Sequence, residues 1–215
     1  FVNKKELVFN KLKHLLKLDY DLPKVCGRKV TVREIYKHDA QMFLEEYHIQ
    51  GFVSSTVYLG GFYGDELVAV MTFKHGNITN PNWELTRFAT KSSYYYQGVA
   101  SKMFTNFIRI YKPQRVVSFA DRRWTLSAEN NLYTMLGFEL ESINKPDYKY
   151  YNSNVERYKR FHKMNFNKQT LHKKYGFPLT MTETEMAKEL GFDRIWDCGL
   201  FKFVWKCEEV KNMGD

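Results

Sequence analysis

Residues 4–18 space their apolar side chains at helical intervals. Leu7, Leu12, Leu15, Leu16 and Leu18 form a stripe, with Lys4, Lys5, Lys11, Lys13 and Lys17 interleaved. That spacing predicts a basic amphipathic helix. Residues 19–27, which hold Pro23 and Gly27, form a connector. The period then changes to two. Residues 28–35 alternate polar and apolar, a strand signal, and residues 39–47 predict a short helix with Phe43 and Leu44 inward. Residues 56–63 and 67–73 predict two strands joined through Gly64-Asp65, a hairpin turn. A polar loop, 76–82, leads into another strand, Trp83–Thr90.

A helical period returns at 97–111, where Val99, Met103, Phe107 and Ile110 share a face and Pro113 stops the run. The short apolar run 116–120 predicts a buried strand. Residues 126–136 predict a helix closed by Gly137. Strands are expected at 138–143 and Tyr148–Tyr151, either side of Pro146. The tail carries a basic aromatic stretch, 157–168, then a helix at 183–190. Thr182 opens that helix, with Glu185 three residues on, as a capping box. Residues 194–206 read as strand, a hairpin around Gly199. Strands alternating with helices predict an α/β (α+β) class with a mixed sheet flanked by helices. The expected organisation is an N-terminal helical arm (1–27), a core (28–152) and a basic aromatic extension packing on it (153–215).

The chain has 215 residues, 44% hydrophobic and 17% aromatic. It can bury a core and is not a disordered tail. A formal net charge of +9 favours a polyanionic partner, DNA above all, or an anionic cofactor. Some of the aromatic side chains are available for base stacking. Cys26, Cys198 and Cys207 form no CxxC pair and are odd in number, so a reducing, cytoplasmic setting is expected. No His or Cys spacing suggests a metal site. No apolar run is long enough for a membrane span, and no signal peptide is visible. The first residue is Phe1 rather than Met, which leaves room for an upstream segment. Neither a Ser-His-Asp order nor a paired-carboxylate motif stands out, so neither a hydrolase nor a nuclease site is expected.

The chemistry centres on a strand–loop–helix unit: WELTRFAT, then KSSYYY, then QGVASKMFTNFI. The loop puts Gly98 at a helix start, where free N–H groups and the positive dipole end bind phosphate. Gly98 and Ala100 let backbone approach a pyrophosphate closely. This loop, Tyr95-Tyr96-Gln97-Gly98-Val99-Ala100, resembles motif A of the GNAT acyltransferases, Gln/Arg-x-x-Gly-x-Gly/Ala. Residues 132–138, LYTMLGF, look like that family's motif B, Leu-Tyr-x-x-x-Gly-Phe, with the apolar strand between the two motifs. The resemblance covers about residues 28–151. It implies a mostly antiparallel sheet and acetyl-coenzyme A, or another acyl-coenzyme A, as donor. Phe88, Ala89 and Thr90 would then line the pantetheine arm on a strand that splays from its neighbour. Gln97, Gly98, Val99, Ala100 and Ser101 would hold the pyrophosphate. Tyr133 would protonate the leaving thiolate, a task suited to a phenol of pKa near 10. Tyr95 departs from the motif's first position, and residues 94–96 make an unusually bulky loop.

Residues 48–51, 84–88, 118–124 and 193–199 also resemble phage Mom-type DNA-modification proteins and GNAT-like domains attached to phage homing endonucleases. That likeness implies transfer to an amino group of a DNA base, adenine among them. Asp121 follows the apolar strand at its C-terminal end, where ligands of open α/β sheets gather. It reads as a base or amine-orienting group, or as a turn residue. Arg122, Arg123 and Trp124 suit a phosphate backbone and a stacked or flipped base, or alternatively form a surface loop. Lys159 and Arg160 would extend that DNA surface. His48, at a helix end, is a third candidate catalytic residue. Two further alternatives stay open: a non-catalytic DNA-binding module of a larger phage enzyme, and a small-molecule or protein N-acetyltransferase.

Overall fold

The computed structural model describes residues 4–18, 22–77, 81–156 and 159–207. Two compact units are drawn from within residues 1–119, 127–142 and 202–215, and from within 120–126 and 143–201.

The first unit begins with α1 (Lys5–Leu15) and a short strand β1 (Lys24–Cys26). Then follow β2 (Val30–Glu34), α2 (Lys37–Tyr47), β3 (Val57–Tyr63), β4 (Glu66–His75), β5 (Trp83–Thr90), β6 (Tyr95–Gln97), α3 (Val99–Tyr111), β7 (Arg115–Asp121), α4 (Leu132–Met135) and β8 (Glu139–Asn144). After β9 (Tyr148–Tyr151), β10 (Phe161–His162), α5 (Lys168–Tyr175), α6 (Glu183–Glu189) and β11 (Asp193–Trp196), the chain ends its described part with β12 (Leu200–Lys206). Seven strands form one sheet in the order β2-β3-β4-β5-β7-β12-β8. The β2–β3, β3–β4 and β4–β5 ladders are antiparallel, and β5–β7 is parallel.

The β3–β4 hairpin turns where expected. Gly64 has φ +60° and open space around it, the positive φ that such a turn needs. The run from Val68 to Phe73 is buried without alternation, because helices cover both faces of β4. On one face Ala40, Phe43 and Leu44 of α2 pack with Tyr58, Val70 and Ala89. On the other, Phe107 of α3 stacks on Phe73 with ring centroids 3.5 Å apart, and Trp83 meets Phe107 edge-on.

In the second unit, β9 pairs antiparallel with both β10 and β11. Tyr150, Phe166, Leu171, Met186 and Ala187 fill its core. Thr182 and Glu185 form the expected capping box on α6.

Several expectations change. The stripe of α1 is covered only in part: Leu7 and Leu15 are half-buried beside the buried Val8, while Leu12, Leu16 and Leu18 are 39%, 67% and 65% exposed. Periodicity marks a face but not its partner. The helix expected at 126–136 shrinks to α4. Ser127 Oγ accepts from the N–H groups of Glu129 and Asn130, and Asn131 Oδ1 accepts from those of Tyr133 and Thr134. These side chains compete with helical bonding and delay the helix start. The expected hairpin at 194–206 is not one: β11 pairs with β9, whereas β12 lies between β7 and β8. Gly199 (φ +75°) would put a Cβ 2.3 Å from the Asn144 carbonyl oxygen, so only glycine fits that crossing. Helix α5 was not expected. Residues 19–21, 78–80 and 157–158, from the predicted connector, loop and basic stretch, lie outside the described residues.

Candidate active site

Strands β5 and β7 pair only at Trp83–Val116 and Glu84–Val117, so beyond Glu84 the two diverge. The register between β4 and β5 shifts at Thr72/Phe73, with Arg87 opposite Thr72 and Leu85 opposite Phe73. Thr86 is therefore the extra residue of a bulge, a device that re-aims the side chains beside it. A bulge or splay was expected at 88–90; both occur a few residues earlier. The Thr86 hydroxyl donates to the Thr72 carbonyl at 3.0 Å and lies 2.8 Å from Ser55 Oγ. Arg87 reaches the same segment between α2 and β3. Its Nε donates to the Gly51 carbonyl at 3.0 Å and its Nη1 to the Thr86 carbonyl at 2.8 Å.

Ser118 sits where the strands part. It is 1% exposed, and its hydroxyl donates to the Leu85 carbonyl at 2.8 Å. It also bears on the Tyr133 phenol, whose ionised form it favours. The Tyr133 ring stacks on Phe203, 5.0 Å away and 13° from parallel, and Asn131 fixes the start of its helix. Burial pushes the Tyr133 phenol up, against the opposing effects of the Ser118 hydroxyl and the Arg87 charge. A phenol held in its protonated form is a proton donor.

The glycine loop lies in the same unit. Gly98 is the N-cap of α3, with φ +77°, exposed, and no atom within 4 Å of a would-be Cβ. No side chain caps α3, and its first turn holds no acidic residue. Its leading N–H groups and dipole therefore suit an anion. The loop is braced from behind. Strand β6 pairs in parallel with β1, and the Tyr95 N–H donates to the Pro23 carbonyl at 3.0 Å. A Cβ on Gly27 would sit 2.8 Å from the Gly98 carbonyl carbon. The connector reading of 19–27 missed this strand. Gln97 and Ser101 are exposed, Ala100 is half-buried and Val99 is buried. Phe88 and Thr90 are half-buried, whereas Ala89 belongs to the α2 core cluster and has only backbone to offer a ligand.

His48 ends α2, and its Nδ1 accepts from the Gln50 N–H at 3.1 Å. Its pKa is lowered to about 3, first by burial and then by Arg87, Lys4 and Lys11. An imidazole so held is a weak base, and what it offers is the Nε2–H donor of the neutral ring. Long-range 1H–15N NMR should find the His48 ring neutral from pH 8 down to about pH 4. A depressed folded pKa contributes stability above the unfolded value of 6.5, and that contribution is lost as pH falls from 6.5 towards about 3. A His48 resonance titrating near 6.5 would contradict this environment.

The other candidates lie in the second unit. Asp121 accepts from Arg123 Nε at 2.9 Å and from the Arg123 backbone N–H at 3.0 Å. Its carbonyl takes the N–H groups of Trp124 and Thr125. It closes a turn and holds a guanidinium. Arg122 lies over the Phe201 ring at 5.2 Å, and Trp124 is half-buried. Lys159 pairs with Glu156 at 2.7 Å, and Arg160 is exposed. Sequence reasoning missed Ser118, Thr86 and Arg87 as site residues, although a serine inside an apolar strand was a signal. Among the described residues no group of three or more His, Cys, Asp or Glu could hold a metal ion, and no helix is long and apolar enough to cross a membrane.

No protein-family model matches the chain, and no curated protein matches it in sequence. Solved structures do match. The ribosomal-protein-S18-alanine N-acetyltransferase of Escherichia coli superposes with a TM-score of 0.50 at 11% identity, over 86% of this chain and 99% of that one. A spermidine/spermine N-acetyltransferase of Vibrio cholerae, solved with manganese ions, gives 0.50 at 8% identity, over 84% and 94%. A GNAT family acetyltransferase of Elizabethkingia anophelis with acetyl-CoA bound gives 0.48 at 13%, over 83% and 99%. The chain has the GNAT acetyltransferase fold. Within this GNAT-like sheet, α3 starts beside Gly98 as expected, while the splay of β5 from β7 begins earlier than expected, beyond Glu84.

Proposed function

We propose that the protein is an N-acyltransferase that takes its acyl group from a coenzyme A thioester. One observation carries this: a single compact unit combines an open, uncapped helix start at Gly98 with a strand splay near the half-buried phenol of Tyr133. The backbone N–H groups from Gly98 to Ser101 would hold the pyrophosphate, and the edge of β5 at Phe88, Ala89 and Thr90 would run along the pantetheine. The bound thioester supplies an activated acyl carbon. A neutral amine attacks it, the N–C bond forms and the C–S bond breaks. Tyr133 gives its proton to the departing sulfur, and the proton of the amine leaves to water. Asp121 stays with Arg123 and is not needed as the base.

The acceptor we propose is an exocyclic amino group on a DNA base. The net charge of +9 and the Mom-like segments favour it. A paired base cannot reach such a site, so the base is flipped or its strand is single. Calorimetry with acetyl-coenzyme A and coenzyme A tests the donor half, with dissociation constants expected between about 1 µM and 1 mM. Nucleoside mass spectrometry of treated DNA tests the acceptor half. The second reading, a DNA-binding module without catalysis, is favoured by the exposed Tyr94 and Tyr95 at the loop. Absence of donor binding would put it first. Donor binding with turnover on small amines but not on DNA would make the protein an ordinary N-acetyltransferase.

A further inference from the structure

We propose that the exposed ring of Phe119, with the Glu84 carboxylate beside it, is the surface on which a nucleic-acid base carrying an exocyclic amino group stacks. Both residues belong to the first unit. Strand β7 lies inside the sheet, between β5 and β12, yet Phe119 is 41% exposed. A ring on an interior strand is ordinarily covered, so an open one points to a binding surface. Among the described residues no other ring and no cation stacks on it.

The register fixes the face. Trp83 meets Phe107 of α3 and pairs with Val116, so Trp83, Val116 and Ser118 share the α3 face. Alternation turns Glu84, Val117 and Phe119 to the opposite one. Helix α2 lies on that side, but its cluster takes in Tyr58, Val70 and Ala89 and no residue of β7. Beyond Glu84 β5 leaves β7, so the ring also loses its strand neighbour. Phe119 stands two residues, about 6.6 Å, further along β7 than Val117, the register partner of Glu84. A purine lying on the ring and the length of a glutamate side chain together span that interval.

Glu84 gives the surface its chemistry. It is the last β5 residue in the β5–β7 ladder, at the apex of the splay, and is half-buried. Its register partner on β4, Lys74, is exposed. Arg87, on the same face, spends Nε and Nη1 on the Gly51 and Thr86 carbonyls. Among the described residues no cation lies within ion-pair distance of Glu84. A half-buried carboxylate without a cation favours N–H donors. The amino groups of adenine, cytosine and guanine supply them, where thymine has only a carbonyl. A small cationic amine would meet the same two groups, but the chain's net charge of +9 repels it and draws a polyanion. Placing the stacked base on the acceptor side of the splay rests on the acyl-transfer reading. The stacking surface itself does not.

The test uses the full chain at low salt and fluorescence anisotropy. The probes are a short oligodeoxynucleotide with one adenine flanked by abasic positions, the same oligomer with unsubstituted purine in place of adenine, and the all-abasic oligomer. Wild type should bind the adenine oligomer most tightly and prefer it to the purine oligomer about tenfold, as expected for a hydrogen bond to a charged group. Phe119→Ala should weaken the adenine oligomer about 5- to 100-fold. It should leave the all-abasic oligomer within about twofold and the salt slope unchanged, since no phosphate contact is lost. Phe119→Trp should bind like wild type, and Glu84→Leu should erase the preference for adenine over purine. Millimolar n-butylamine should not displace the adenine oligomer. The proposal falls if wild type binds the three oligomers alike, if Phe119→Ala binds adenine as wild type does, if butylamine competes, or if the loss in Phe119→Ala falls on coenzyme A instead. Should Phe119→Ala not fold, Phe119→Leu, which keeps an apolar side chain of similar bulk but no flat face, decides. Donor calorimetry reads separately, so failure of this surface and failure of the acyl-transfer reading remain distinguishable.

Discussion

Replacing Tyr133 with Phe lowers the rate of acyl transfer by about 10²–10⁴-fold, the usual worth of a general acid, and leaves the affinity for acetyl-coenzyme A unchanged. The substitution removes one oxygen from a ring that otherwise stays stacked on Phe203 and edge-on to Phe138. Ser118 keeps its bond to the Leu85 carbonyl, so no buried hydroxyl is left without a partner. The fold should therefore survive, with the loss falling on kcat. The raised pKa gives a second readout. With burial as its largest cause, the wild-type phenol stays protonated to above about pH 10, so the wild-type rate should show no alkaline fall at neutral to mildly basic pH. Steady-state thiol-release kinetics on both proteins would check this. Equal rates would remove Tyr133 from the chemistry and leave the donor site untouched.

Gly98→Glu abolishes donor binding, by at least about 100-fold. Space is not the reason, because a Cβ at Gly98 meets nothing within 4 Å. Charge and backbone are. The residue has φ +77°, which costs an L-residue roughly 1 kcal/mol. A carboxylate at an uncapped helix start itself stabilises the helix by about 0.3–1 kcal/mol, so the net cost to folding is small. For an anionic ligand the same carboxylate takes the N–H groups and adds repulsion. Lost hydrogen bonds to a charged group are worth about 1.5–3 kcal/mol, and like charges near a protein surface add a few more. Calorimetry with coenzyme A, alongside thermal melts, would measure both. A variant that melts like wild type and still binds coenzyme A would mean the Gly98 loop is a helix start without a ligand.

Much of this architecture was legible along the chain. The Gly64-Asp65 hairpin, strands Trp83–Thr90 and Tyr148–Tyr151, the helix opening beside Gly98 and the Thr182 capping box rest on signals that act within a turn or a few residues. Turn φ preferences, side-chain caps and apolar period are all local properties. Sequence also marked Tyr133 and the glycine loop, because both sit in short motifs with fixed spacing.

Tertiary structure decided the rest. Alternation marked residues 200–206 as strand but not which neighbour they would choose, and β12 entered the main sheet instead of folding back on β11. Strand β1 is three residues long, too short for a periodic signal, and gains its ladder only from β6. The bulge at Thr86 exists only relative to β4. Tyr133 finds its stacking partner Phe203 only because α4 packs on β12, 70 residues further along the chain. Glu84 and Phe119, 35 residues apart in sequence, share one face only through the β5–β7 ladder. What a helix face or a strand edge will touch depends on the register of distant elements, and local preferences of the chain carry no information about that register.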